Sequence, residues 1–129
     1  MKPELKEKIE DLITQNRIVL FIKGTADFPE CGFSSAIITI FNLIGMPYET
    51  VNILANDALR QGMKEYSAWP AFPQVYIDGK FIGGCGVVRA MYMAEPNELI
   101  PIIARKPKKP VEEPLASELE IGSESKEME

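Results

Sequence analysis

The sequence predicts an α/β fold in which one four-stranded mixed sheet carries helices on both faces. Three observations lead to this prediction. Stretches with apolar residues at helical spacing alternate along the chain with short strand-like runs. One such run, Ile18–Ile22, is wholly apolar and ends at Lys23-Gly24, which is typical of a buried strand. The dipeptide Asp78-Gly79 separates two further runs and is a strong hairpin signal.

Each element has its own signal in the chain. Leu5, Ile9 and Leu12 share one face of a first helix, and Asn56 precedes another as a capping residue. A strand–helix–strand unit followed by a hairpin and a helix gives the mixed sheet, with ligands expected where its parallel strands end. The predicted helices cover residues 3–15, 34–44, 57–67, 87–93 and 96–104, and the predicted strands cover 18–22, 48–53, 74–77 and 80–82.

Length and composition indicate one domain and a tail. The chain has 129 residues, of which 46% are hydrophobic and 26% charged, enough for one globular core. We assign that domain to residues 1–106. Residues 107–129 contain three prolines, many acidic residues and few aliphatic ones, so we predict a disordered polar tail.

Charge and residue usage exclude several classes of function. A net charge of -5 argues against a nucleic-acid partner. Without histidine the chain has no Cys-His or Ser-His pair and no imidazole metal site. Two cysteines 54 positions apart favour a reducing compartment over a disulfide scaffold. Since no signal or membrane-spanning stretch is evident, we predict a cytoplasmic protein without a membrane partner, although a processed organellar form would look the same.

Cys31 is the main candidate for chemistry. It follows the loop after the buried strand and opens the second helix, where unpaired N–H groups and the helix dipole favour a thiolate. The alternative is a small buried cysteine that only packs. Cys85 is either a distant resolving thiol or a small residue in a packed turn, and Arg60 and Lys64, taken alone, suit a solvated helix face.

Four motifs carry a family resemblance. In chain order they are Lys23-Gly24-Thr25, Cys31-Gly32-Phe33-Ser34, the run from Trp69 to Gln74, and Gly83-Gly84-Cys85. Together they resemble the monothiol glutaredoxins of the CGFS class, over roughly residues 3–105. The resemblance implies a thioredoxin-like (glutaredoxin) fold with about five helices. Its departures from the family pattern are Ala26, Ala71 and Gly86, where proline, threonine and aspartate are usual.

The resemblance implies a set of glutathione contacts. Pro73 would be cis, setting the Phe72 backbone beside Cys31 to pair with glutathione; an ordinary trans proline in an edge strand is the alternative. Lys23 and Arg60 would hold the glycine carboxylate, with Lys64 nearby. Backbone N–H groups near Cys85 and Gly86 would hold the γ-glutamyl carboxylate. Gly86 lacks the aspartate that would accept a hydrogen bond from the ligand's ammonium group.

The motif spacing limits the chemistry. A dithiol oxidoreductase needs a second thiol one helical turn after the first, and that position holds Ser34. An iron–sulfur cluster usually needs four thiolate ligands, and a chain with one suitably placed cysteine cannot supply them alone. The resemblance implies that Cys31 from each of two chains and two glutathione thiols supply them.

From this resemblance we expect a homodimeric carrier that delivers a 2Fe-2S cluster to apo-proteins, with a BolA-like protein as a further partner. At most weak oxidoreductase activity is expected. The alternatives are a glutathione-dependent thiol-disulfide oxidoreductase with Cys31 as nucleophile, and a non-catalytic adaptor that binds through its acidic tail.

Overall fold

Five helices and four strands make up the part of the chain that the computed structural model describes, residues 1–105. A short 3₁₀ turn, Ile53–Ala55, follows the second strand. The helices are α1 (Pro3–Gln15), α2 (Gly32–Ile44), α3 (Asp57–Ser67), α4 (Cys85–Met93) and α5 (Ile100–Ala104), and the strands are β1 (Ile18–Ile22), β2 (Glu49–Asn52), β3 (Gln74–Ile77) and β4 (Lys80–Gly83).

The four strands form one sheet in the order β2-β1-β3-β4. Strands β1 and β2 are parallel, with Ile22 opposite Asn52 at their carboxyl ends. The pairs β1–β3 and β3–β4 are antiparallel. Asp78 and Gly79 join β3 to β4 with positive φ angles of 53° and 79°, which the predicted hairpin turn requires. The predicted mixed sheet is therefore confirmed.

Strand β1 divides the core into two halves. All five of its residues are buried, and because successive side chains point to opposite faces, they feed two separate clusters. Ile18, Leu20 and Ile22 pack with α2, α4 and α5, whereas Val19 and Phe21 pack with α1 and α3. Each fully buried side chain of this size contributes about 1.5–3 kcal/mol. The apolar run thus explains why helices cover both faces.

Several boundaries differ from the prediction, each for a local reason. Strand β2 stops at Asn52 because its side chain accepts a hydrogen bond from the Leu54 N–H and caps the 3₁₀ turn. Helix α5 begins at Ile100 instead of residue 96, because the Asn97 side chain accepts from the Leu99 and Ile100 N–H groups. Helices α2 and α4 begin at Gly32 and Cys85, each two residues before the predicted start.

Two further sequence predictions concern the C-terminal tail and membrane-spanning helices. The predicted tail, residues 107–129, lies outside them, so its disorder stays a prediction. Within residues 1–105 no helix has the length and apolar character needed to cross a membrane.

Candidate functional site

Cys31 lies at the N-cap of α2, just beyond the carboxyl end of β1. Its backbone is extended, with φ -154° and ψ 137°, and its carbonyl accepts the first helical hydrogen bond from the Ser35 N–H at 2.9 Å. The side chain is half-buried and is not in a disulfide. A thiol at this position faces the unpaired N–H groups of a helix start.

The surroundings of Cys31 lower the pKa of its thiol. Its side chain makes no capping hydrogen bond of strict geometry. The Ser34 backbone N–H nevertheless lies close enough to have the largest effect, which lowers the pKa. Burial has the next largest effect and raises the pKa, and the Phe33 N–H, the Lys23 charge and the Ser34 hydroxyl lower it further. The pKa of Cys31 is therefore shifted in the direction that its place at a helix start predicted.

The loop from Lys23 to Glu30 holds Lys23 beside this thiol. The Glu30 N–H donates to the Lys23 carbonyl at 2.8 Å, and the Lys23 N–H donates to Ser34 Oγ at 3.1 Å. Gly24 has φ +96°, and a Cβ there would lie 2.5 Å from the Phe28 carbonyl oxygen. Only glycine fits this position without moving the loop. Ser34 is fully buried, and its hydrogen bond with the Lys23 N–H connects α2 to the segment that follows β1.

Residues 69–73 form the loop that precedes β3. The Phe72–Pro73 peptide bond is cis, as the resemblance implied, and both residues are buried. Gln74 is fully buried, and its Nε2 donates to the carbonyls of Trp69 and Ala71 at 3.1 and 3.3 Å. Its Oε1 accepts from the Tyr76 hydroxyl at 3.3 Å. Gln74 thus fixes the loop in front of Pro73.

The start of α4 approaches the same region. A Cβ on Gly84 would lie 3.2 Å from Trp69 Nε1 and 3.3 Å from the Pro73 carbonyl oxygen, so glycine permits this close approach. Burial raises the pKa of Cys85, Arg89 lowers it, and the charge of Cys31 raises it again. The two thiols are therefore near enough to interact electrostatically. Gly86 is exposed, and a Cβ added there would meet no atom of residues 1–105 within 4 Å.

Arg60 and Lys64 lie on α3, the helix that follows the carboxyl end of β2. Both are half-buried. Arg60 Nε is buried and has no hydrogen-bond partner within residues 1–105. The Lys64 carbonyl accepts from the Trp69 N–H at 3.2 Å and so connects α3 to the Pro73 loop.

The structure brings the sequence-predicted residues together to different extents. Lys23 and Cys85 interact with Cys31 through their charges, and Pro73 contacts the start of α4 through Gly84. Arg60 and Lys64 share a helix, and neither is among the groups that shift the pKa of Cys31. Sequence reasoning missed Asn52 and Gln74. The one available signal for Gln74 was a polar residue at the head of an otherwise apolar strand.

Solved structures identify the class of protein that this fold and site define. The solution structure of reduced apo GrxS14 from poplar is 50% identical, with a TM-score of 0.64, over 75% of this chain and 90% of that one. The crystal structure of a buckwheat glutaredoxin–glutathione complex is 27% identical, with a TM-score of 0.68, over 80% of this chain and 93% of that one. The fold is the glutaredoxin variant of the thioredoxin-like fold.

Sequence relatives give the family. The glutaredoxin family model matches residues 18–82. The chain belongs to the glutaredoxin family, and its relatives place it among the monothiol members. They include chloroplastic monothiol glutaredoxin-S7 of Oryza sativa, 49% identical over 71% of this chain and 55% of the relative, and chloroplastic S14 of Arabidopsis thaliana, 53% identical over 67% and 50%.

A Synechocystis monothiol glutaredoxin, ycf64-like, is 47% identical over 71% of this chain and 86% of its own length. The chain thus matches most of this bacterial relative. It spans only about half the length of the two chloroplastic relatives.

Proposed function

We propose that this protein binds glutathione beside Cys31 and, as a homodimer, carries a 2Fe-2S cluster as cargo to apo-proteins. The observation that carries the proposal is the pair Cys31 and Ser34. Cys31 is a half-buried cysteine with a lowered pKa, and the position of a resolving thiol is taken by a fully buried serine that already accepts a hydrogen bond from Lys23. Such a thiol suits a ligand role better than rapid dithiol exchange.

The residues around Cys31 fit a small peptide with two carboxylates. Arg60 and Lys23 would supply two positive charges for the glycine carboxylate; the Lys23 charge already acts on Cys31, and the Arg60 guanidinium has a polar atom, Nε, without a partner within residues 1–105. The Phe72 backbone before the cis peptide bond would pair with an extended peptide, since no loop hydrogen bond involves it within the described part of the chain, and the start of α4 suits the other carboxylate. The buckwheat relative, solved as a glutathione complex, supports the same ligand here.

The cluster needs two copies of the chain. Within residues 1–105 no group of three or more Cys, His, Asp or Glu side chains could hold a metal ion. Cys31 from each copy and two glutathione thiols would make up the four sulfur ligands. Exposed apolar side chains occur in the segments that form the site and give a second copy a surface to pack on: Phe28 is 77% exposed, Phe33 66%, Val87 46% and Trp69 42%.

The recipients of the cargo are cluster-free apo-proteins, and a BolA-like protein is the further partner that the family resemblance suggests. We assign the protein to a reducing compartment, because both cysteines within the described residues are free thiols. The sequence-based choice is the cytoplasm. The chloroplastic relatives make an organelle the alternative.

Anaerobic reconstitution with iron, sulfide and glutathione tests the proposal. We expect visible absorbance from a dimer, which is lost on dialysis against glutathione-free buffer. Cys31→Ser should abolish the absorbance and keep the far-UV circular dichroism. Cys85→Ser is the matched control and should retain the absorbance, since no ligand role falls to Cys85. A Cys31→Ser protein that still gives the glutathione-dependent chromophore would refute the proposal.

The lowered pKa of Cys31 favours one second candidate, a glutathione-dependent oxidoreductase. In that reaction the Cys31 thiolate attacks a protein–glutathione disulfide, releases the protein thiolate and becomes glutathionylated. A second glutathione thiolate then releases oxidised glutathione and restores the Cys31 thiolate. Ser34→Cys would add a resolving thiol beside Cys31, so it should raise turnover well above the wild-type rate. Equal rates for the wild type and the variant would mean that Ser34 is not what limits oxidoreduction.

A further inference from the structure

Two side chains hold the backbone of the Lys23-Gly24 segment at the end of β1. Ser34 Oγ accepts the Lys23 N–H at 3.1 Å, and Asn52 Oδ1 accepts the Gly24 N–H at 2.9 Å. Consecutive backbone donors are therefore bound by different elements, one by α2 and one by β2. Neither bond belongs to the sheet, whose ladder between β1 and β2 ends at Ile22 and Asn52.

Asn52 uses one oxygen to join three parts of the structure. The same Oδ1 also accepts the Leu54 N–H at 3.0 Å and so caps the 3₁₀ turn that leads to α3. The Lys23-Gly24 segment is thus tied to the beginning of the path to Arg60. Lys23 and Arg60, the two residues assigned to the glycine carboxylate, precede and follow Asn52 in the sequence.

The Gly24 backbone has few other ways to satisfy its donor. Gly24 is buried and held at φ +96°, and a Cβ added there would lie 2.5 Å from the Phe28 carbonyl oxygen and 2.7 Å from the Glu30 nitrogen. Removing the Asn52 oxygen would leave a buried N–H without its partner, so the segment would have to move to regain one. Lys23 would move with it, because only the Ser34 bond and the Glu30 bond to its carbonyl would remain.

We propose that Asn52 is a positioning residue, whose side-chain oxygen fixes the Lys23-Gly24 segment so that the Lys23 ammonium group meets the glycine carboxylate of glutathione. This inference rests on the proposed glutathione site. It assigns to Asn52 no contact with the ligand.

The test compares two ligands that differ only in that carboxylate: S-methylglutathione, which cannot form a mixed disulfide, and its glycine amide. We expect the wild type to bind the acid about tenfold more tightly than the amide, as measured by NMR titration. Asn52→Ala should reduce this preference to about threefold or less. In a Lys23→Ala background, Asn52→Ala should have no further effect on the preference, because its action passes through Lys23.

Asn56→Ala is the matched control. Asn56 caps α3 in the same way, through an oxygen that accepts the Leu59 N–H at 3.0 Å, but it makes no bond to the Lys23-Gly24 segment. Both variants should lower the melting temperature, and only Asn52→Ala should change the ligand preference. Equal preference in the wild type and Asn52→Ala overturns the inference. Should Asn52→Ala not fold, Asn52→Ser takes its place with the same expected results.

A ligand-free measurement separates this inference from the proposed function. In the free protein, we expect the order parameter of the Gly24 amide to fall from about 0.85 to below about 0.6 in Asn52→Ala and to stay unchanged in Asn56→Ala. An unchanged order parameter in Asn52→Ala refutes the positioning role of Asn52. If the wild type binds neither ligand, the proposed glutathione site is refuted. The order parameter of Gly24 then still shows whether Asn52 fixes the Lys23-Gly24 segment.

Discussion

At the scale of single residues, the two cysteines occupy opposite electrostatic environments. Backbone N–H groups of Ser34 and Phe33, with the Lys23 charge, lower the pKa of Cys31, whereas burial raises that of Cys85. The alkylation rate of a thiol rises with its thiolate fraction. In Cys85→Ser, we expect the iodoacetamide reactivity of Cys31 to reach its half-maximum at a pH below the ordinary thiol pKa of about 8.5.

The converse variant gives the control. In Cys31→Ser, Cys85 loses the neighbouring charge that raises its pKa but keeps the burial, which is the larger cause. The iodoacetamide reactivity of Cys85 should therefore reach its half-maximum at a pH above about 8.5. The same pH profile for both thiols would mean that the helix start does not activate Cys31.

Gly86 carries a second prediction at this scale. It is exposed at the start of α4, with open space where a side chain would be added. Gly86→Asp supplies a carboxylate for the ligand's ammonium group, so glutathione should bind about tenfold more tightly by calorimetry and cluster loss should slow. Gly86→Ala adds a Cβ without charge and should leave the affinity unchanged. Equal gains in both variants would point to helix propensity, not to the ammonium group.

Some site residues could be predicted from the sequence and others could not. Lys23 lies directly after a strand that is recognisable from five consecutive apolar residues, and Cys31 opens the helix after the next loop, so their place near the carboxyl end of β1 followed from local pattern. Asn52 acts on Gly24 across 28 positions. Nothing in the pattern around a polar residue at a strand end indicates which distant N–H it accepts. Tertiary hydrogen bonds of this kind need the structure.

At the scale of elements, the same division holds for boundaries. The apolar periodicity of α1, β1 and β3 predicted their limits. The missed ends are at β2 and α5, where side-chain oxygens of Asn52 and Asn97 cap the following turn. At α4 the approach of Gly84 to Trp69 and Pro73 lets the helix start early. Capping and close packing, not periodicity, decided these positions.

Gln74 gives a prediction about the loop that precedes β3. Gln74→Leu removes two donors to the Trp69 and Ala71 carbonyls and the acceptor of the Tyr76 hydroxyl. Because Gln74 and Tyr76 are buried, the loss of these hydrogen bonds should reduce the free energy of unfolding by about 1–3 kcal/mol. The loosened loop should also weaken glutathione binding. Denaturant unfolding and calorimetry measure the two effects.

The matched control is Gln61→Leu, an exposed glutamine on α3. It should change neither quantity by much, since surface substitutions usually stay within about 0.5 kcal/mol. If Gln74→Leu lowers stability but leaves glutathione affinity at the wild-type value, the loop keeps its shape without Gln74.

At the scale of the whole molecule, Arg17 ties together distant parts of the chain. Its guanidinium donates to both carboxylate oxygens of Asp78 at 2.8 and 2.9 Å, and Nη2 also donates to the Arg105 carbonyl at 3.0 Å. These bonds link the start of β1 to the β3–β4 turn and to the end of α5, over separations of 61 and 88 residues. The ion pair raises the pKa of Arg17, so the guanidinium stays charged at any pH at which the protein is handled.

Arg17→Ala should reduce the free energy of unfolding by about 1 kcal/mol, which is a modest value because both side chains are partly exposed. For a domain of this size that loss lowers the melting temperature by about 4–8 °C. Lys80→Ala, at an exposed position of the same hairpin, is the control and should change the melting temperature little.

The effect of Arg17→Ala on ligand binding should be absent, for a geometric reason. Arg17 precedes the first residue of β1, whereas Lys23 follows the last, so the length of the strand, about 17 Å, separates the Arg17 ion pair from the proposed glutathione contact at Lys23. Stability and affinity should therefore respond independently: Arg17→Ala lowers the melting temperature at unchanged glutathione affinity. If Arg17→Ala lowers both the melting temperature and the glutathione affinity, the Arg17 hydrogen bonds at one end of the sheet influence the geometry of the site at the other end.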